Sequence, residues 1–176
     1  MQKHGEIMNF NSYREDFPLL REDIPPIYLD NACVTLRPDS VIDAVKRYYV
    51  ESPACAGRSV HRLSTTVSRE MGRSRKAIAD FFHASSPREV VFTRNATHSL
   101  NQIAFGLELK RGDIVLTADR EHNSNLVPWL QLEKENGIDH RVVPSQADNT
   151  FDLEAFESMC AEAGNNLAVV SLSHVG

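Results

Sequence analysis

Apolar positions recur along the chain with two alternating periods. The residues up to position 25 are polar and mixed, and end in Ile24-Pro25-Pro26; they read as an N-terminal arm with one short helix. Ile27–Leu29 is a short apolar run that predicts a strand, broken by the turn-forming pair Asp30-Asn31. Pro38 suits a first helical turn, where its missing N–H costs nothing. Val41, Val45, Tyr48 and Tyr49 follow at helical spacing. Residues 52–61 have loop composition, and Ser64 is placed to cap a second helix with Val67, Met71, Ile78 and Phe82 on one face. After residue 88, short β-branched runs alternate with helical stripes. Strands are predicted at 89–93, 114–117, 140–143 and 167–172. Between them lie a helix bearing Leu100, Ile103, Ala104 and Leu107, a helix over 125–135 stopped by Gly137, and a helix capped by Asp152. In these, Leu126, Trp129, Leu130, Leu153, Phe156 and Cys160 are expected to face inward.

Strands alternating with helices predict βαβ units, hence an α/β fold with a mostly parallel sheet and right-handed crossovers. Ligands of such sheets sit beyond the carboxyl ends of the strands. The last apolar run comes within a few residues of Gly176, where functional groups are expected, so the pattern predicts an incomplete domain.

Composition narrows the classes. Of 176 residues, 41% are hydrophobic and 24% charged, the balance of a soluble globular protein. A net charge of -5 argues against a nucleic-acid-binding surface. No apolar run approaches the roughly 20 residues of a membrane span, and the N-terminus lacks a signal core. Cys33, Cys55 and Cys160 have neither an even count nor metal-ligand spacing, which reads as reduced thiols in a cytoplasmic protein and no metal site.

Four segments offer chemistry. Thr93–His98 joins a predicted strand to a helix, where backbone N–H groups and the helix dipole favour an anion. Ala96 and Thr97 leave room for a phosphate, and Thr97 brings a hydroxyl. Asn95 as a plain N-cap is the commoner use of such a loop. Glu121–Asn125 also follows a strand; His122 can stack on an aromatic ligand or move a proton, or the loop can simply cap the next helix. Arg58 and His61 share a basic loop suited to a carboxylate or phosphate, or to solvent. His174 stands near the last residue. No GxxxxGK[ST] and no strand-following GxGxxG is present.

Taken together, these segments resemble the class V aminotransferase family of fold-type I pyridoxal-phosphate (PLP) enzymes, in its cysteine desulfurase and selenocysteine lyase branch. The resemblance rests on Tyr28–Ala32 (YLDNA), Arg58–Ser64 (RSVHRLS), Glu89–Asn101 (EVVFTRNATHSLN), Glu121–Asn125 with Pro128-Trp129, and Ser173–Val175. It implies that residues 26–176 are part of a PLP-binding large domain, preceded by an arm over 1–25. It implies PLP as cofactor, with Ala96 and Thr97 at its phosphate and His122 over its ring. It places Arg58 and His61 at the active-site mouth, and gives Asn125 the task of ordering its own helix start. The lysine that anchors the cofactor, the acidic partner of its ring nitrogen and the sulfur-accepting cysteine are implied to lie C-terminal to Gly176. No catalytic residue is therefore assigned within the chain. The expected activity of the full-length enzyme is removal of sulfur from cysteine, giving alanine and a persulfide, in a cytoplasmic homodimer; the 176-residue chain alone is not expected to be active. Ala96, His98 and Asn123 depart from the family's frequent Thr, Glu and His. Two alternatives stay open: another class V specificity, and a non-catalytic relative that binds a partner.

Overall fold

A computed structural model describes residues 10–174, which form two compact units, one up to Val90 and one from Val91. The first unit is helical. A short helix α1 (Phe10–Arg14) and a 3-10 turn at Pro18–Leu20 precede α2 (Asp39–Glu51) and α3 (Arg62–Phe81). Pro38 stands as the N-cap of α2.

The apolar stripes of these helices are solvent-facing, contrary to the pattern's expectation. Val45 is 54% exposed, Tyr49 69% and Phe82 73%, and α2 buries no residue. The reason lies between the helices. Tyr48 of α2 and Val67 and Met71 of α3 line an open groove of about 560 Å³ and do not interdigitate. Ser64 is not the cap of α3. His61 is, its Nδ1 accepting from the Ser64 N–H at 3.4 Å. Ser64 is instead buried and donates its hydroxyl to the Cys55 carbonyl at 2.8 Å.

The second unit carries the sheet. In chain order it has α4 (Ala96–Gly106), β1 (Ile114–Ala118), α5 (Asn123–Asn136), β2 (Asp139–Val143), α6 (Leu153–Ala163) and β3 (Leu167–Ser171). The three strands are parallel, in the order β2-β1-β3. Thr117 of β1 pairs with Val142 on one side and Ser171 on the other. Successive side chains of β1 serve opposite faces. Val115 packs with Ala104, Trp129, Leu132 and Ile138 beneath α4 and α5. Ile114 and Leu116 pack with Val143 and Ala163 beneath α6. Coverage on both faces explains why Ile114 to Thr117 are all buried.

Two predicted strands do not form. Ile27 and Leu29 are 89% and 88% exposed in irregular chain. Pro87–Glu89 is a 3-10 turn capped by the Ser86 hydroxyl, and Val90–Thr93 runs on without a ladder. A β-branched run favours extended backbone, but a strand also needs a neighbour to bond, and these segments have none among the described residues. Leu130 and Leu153 face outward as well, at 44% and 57% exposure. Gly137 does stop α5, with φ at +73°, a conformation that favours glycine.

Candidate functional site

The carboxyl ends of the parallel strands share one edge, and the loops that leave β1 and β3 carry the candidate residues. β1 is followed by α5 and β2 on one side, whereas β3 lies on its other side. Connections that diverge from neighbouring strands open a crevice at their carboxyl ends, the usual ligand position in an open α/β sheet. Glu121 and His122 leave β1 at this edge, and Ser173 and His174 leave β3.

Both helix starts near the site are shaped by local sequence. Asn95 caps α4, its Oδ1 accepting from the His98 N–H at 2.9 Å. That leaves the first-turn N–H groups of Ala96 and Thr97 without partners inside the helix. His122 caps α5 and is not a loop residue ahead of it: Nδ1 accepts from the Ser124 N–H at 3.1 Å and lies 2.8 Å from its hydroxyl. Nδ1 is thus an acceptor, which in the neutral ring puts the proton on Nε2. The ring itself is exposed.

The two helix starts meet at one cleft. Thr97 and Asn101 of α4 form its one wall, and His122, Asn123, Ser124, Val127 and Pro128 form the other, around roughly 280 Å³ of open space. Asn101 is held there by donating to the Thr97 carbonyl at 2.8 Å. Thr97 and His122, singled out from separate sequence segments, are therefore brought together. Ala96 is exposed beside Thr97 and does not line the cleft. Arg58 and His61 belong to the first unit. There Arg58 is exposed, next to Gly57, whose N–H is tied to the Ser68 hydroxyl at 2.9 Å. Asn101, Val127 and Pro128 were not anticipated. The spacing of Asn101 four residues after Thr97, on one helix face, is the signal that could have found it.

A hydrogen-bonded network runs along this carboxyl edge, from the buried Asn125 to the exposed Ser173. Glu121 Oε1 accepts from the Ser173 N–H at 2.7 Å, and Oε2 accepts from the Ser173 hydroxyl at 2.7 Å and from Asn125 Nδ2 at 2.8 Å. Asn125, 5% exposed, also donates to the Ser171 carbonyl at 3.1 Å. Its Oδ1 accepts from the Ser171 hydroxyl at 2.5 Å and from the Trp129 indole N–H at 3.3 Å. Asn125 thus orders the helix start, as expected, and in addition ties it to β3. Further along the edge, Asp119 holds the loop after β2 by accepting from Ser145 N–H and hydroxyl at 2.9 and 2.6 Å. Those two bonds set its carboxyl below the ordinary range.

Burial works to raise the Glu121 carboxyl, but the donors from Asn125 and Ser173 outweigh it and hold it below its ordinary 4.5. Burial holds the His140 imidazole below its ordinary 6.5, against the pull of Glu133 and Asp139, while its Nε2 meets the buried Thr117 hydroxyl at 2.9 Å. Both groups bind fewer protons folded than unfolded, so both favour the folded state more as pH rises. The His140 contribution is whole above pH 6.5 and is lost as pH falls through its folded value; that of Glu121 is whole above 4.5 and is lost below it. The thermal midpoint, followed against pH, is expected to fall in two stages, and His140→Gln is expected to remove the upper one. A flat profile between pH 7 and 5 would contradict this.

No group of three or more His, Cys, Asp or Glu residues among the described ones could hold a metal ion. No described helix is long and apolar enough to cross a membrane. Cys33 and Cys55 are exposed, Cys160 is half-buried, and all three are free thiols.

Known proteins share this arrangement. Residues 27–176 match the family described as aminotransferase class-V. A probable cysteine desulfurase of Synechocystis sp. is 36% identical over 92% of this chain and 40% of its own length. The apo structure of a cysteine desulfurase from Thermococcus onnurineus superimposes with a TM-score of 0.83 at 34% identity, over 94% of this chain and 40% of that one. A C-DES structure with glycine covalently linked to its PLP cofactor shares the fold, with a TM-score of 0.64 at 24% identity, over 78% of this chain and 35% of its own. The chain spans about two fifths of the length of the curated relative it matches. The chain belongs to the class V aminotransferase family, and its α/β unit is built as part of a cysteine desulfurase fold.

Proposed function

We propose that this chain is the part of a PLP-dependent cysteine desulfurase that cradles the cofactor phosphate and supplies the ring that stacks on the cofactor. The carrying observation is that Thr97 and His122 line one cleft where two helix starts converge. Residues from two helix starts border this space, and helix starts favour an anion such as a phosphate. The Thr97 hydroxyl in the cleft wall is a donor suited to its oxygens, and the first-turn N–H groups at Ala96 and Thr97 stand beside that lining. Alanine at position 96 means the cradle leans on backbone where a hydroxyl could have served. The exposed His122 ring, pinned at Nδ1 by Ser124, offers a fixed flat face to an aromatic ligand.

PLP, when bound, supplies the electron sink for chemistry on an amino-acid substrate; cysteine is the substrate that the named relatives support. This chain's residues bind and orient the cofactor. The anchoring lysine and the sulfur acceptor belong to the remaining length of such an enzyme. In this reading residues 26–176 contribute to the PLP-binding large domain, Arg58 and His61 line the mouth of the site, and the working protein is a cytoplasmic homodimer.

Titration of the full-length protein with PLP, followed by visible absorbance, tests this reading. Thr97→Val removes a hydrogen bond to a charged group, worth about 1.5–3 kcal/mol, so affinity is expected to fall roughly 10- to 100-fold. His122→Ala removes a stacking contact worth about 0.5–1.5 kcal/mol, for a loss of up to roughly tenfold. Release of alanine from cysteine by the PLP-loaded protein is expected alongside. A wild-type protein that does not bind PLP, or two variants that both bind it as tightly as wild type, would sink the reading.

A further inference from the structure

The Glu121 carboxylate spans the crevice between the carboxyl ends of β1 and β3. Its two oxygens take up three donors, two from Ser173 on the β3 exit and one from Asn125 on α5. Of these partners, Asn125 is fixed in turn. It is held by Ser171 and Trp129, and Trp129 sits in the core with 1% exposure. Glu121 is joined directly to His122, whose ring lines the cleft.

We infer that Glu121 is a positioning residue: its carboxylate straps β3 to the start of α5 and so fixes where the His122 ring stands. Three features carry this. First, both carboxylate oxygens are engaged, Oε1 by one donor and Oε2 by two, so the position calls for an acceptor at each end. Glutamine is isosteric but has one acceptor oxygen and adds two N–H donors, which would face the donors already present. Second, the strap acts at the crevice and not at a distance. Ser173 and His174 leave β3 where Glu121 and His122 leave β1, so one carboxylate sets the spacing of two histidine-bearing exits. Third, Glu121 precedes His122 directly in the chain and His122 lines the cleft, so a backbone held at Glu121 holds the ring beside it. This inference rests on the PLP reading for its ligand, but not for its geometry.

The test uses the full-length protein and two readouts. The first needs no cofactor: NMR of the His122 ring, assigned with His122→Ala, reporting its tautomer and surroundings. Glu121→Gln is expected to shift the ring's resonances. Ser173→Ala, which removes only the hydroxyl donor, should shift them less and in the same direction. Leu116→Ala, in the core on the far side of the sheet, lowers stability without touching the strap and should leave them in place. The second readout is PLP affinity, expected to fall on the order of tenfold in Glu121→Gln, the low end of the losses seen when outer-shell partners of metal-binding histidines are removed. Unchanged His122 resonances in both strap variants overturn the inference, as does an equal shift in Leu116→Ala. If wild-type protein binds no PLP, the functional reading fails while the first readout still decides the role of Glu121.

Discussion

Replacing Trp129 by alanine will cost the second unit about 3–5 kcal/mol, the range for removing a large buried aromatic. The indole is 1% exposed and packs with Ala104, Val115, Leu132 and Ile138, with Leu109 and Val169 at its margin. It joins α4, β1, α5 and the start of β2 into one core. The variant loses that volume and also the indole donor to Asn125 Oδ1. Trp129→Phe keeps most of the volume and loses mainly the bond, so about 1–2 kcal/mol is expected. Urea unfolding of the full-length protein, followed by circular dichroism, measures both. With total stabilities of about 5–15 kcal/mol in ordinary domains, the alanine variant should unfold at a much lower urea concentration. A loss below about 1 kcal/mol would show that the indole is not the keystone of this face. Because α5 also carries His122, weaker PLP binding is expected to accompany the loss.

Leu116→Ala should cost a similar amount, about 2.7–5 kcal/mol, yet leave the cleft intact. Leu116 is fully buried on the opposite face, against Ile114, Val143 and Ala163, with Phe156, Met159 and Leu167 around it. No residue of that cluster lines the cleft. At a temperature where the variant stays folded, its PLP affinity is expected to match wild type. The paired variant with Trp129→Ala asks whether the two faces are independent. The side chains belong to separate clusters, so their costs should add within about 0.5 kcal/mol. Strong non-additivity would mean that the sheet transmits strain between its faces.

The parallel α/β unit was legible because its three strands are short β-branched runs, and the helices between them carry a readable stop or cap. Gly137 and Asp152 act where composition placed them. The runs at 27–29 and 89–93 misled for one physical reason. Extended preference is local, while pairing is a property of residues distant in sequence. The cleft was half legible. Thr97 and His122 were visible as strand-to-helix loop residues, but Asn101, Val127 and Pro128 reach the cleft only through the way α4 and α5 lie together. The Glu121 strap was hidden for the same reason. Glu121 and Asn125 stand four apart, a spacing that could be read, but Ser171 and Ser173 come to them only when β3 docks beside β1.

That docking order has a consequence for how the chain is made. None of the strand pairs is a hairpin; β1 must wait for β2, and then for β3, before both of its edges are bonded. Parallel pairing of this kind carries high contact order and folds slowly. During synthesis at roughly 5–20 residues per second, β1 and β2 emerge together with α5, but the edge facing β3 stays open until residues 167–171 follow. For those seconds the Val115 and Leu116 strand offers unpaired backbone to any neighbour, so the nascent chain is most exposed to misassociation between translation of α5 and of β3.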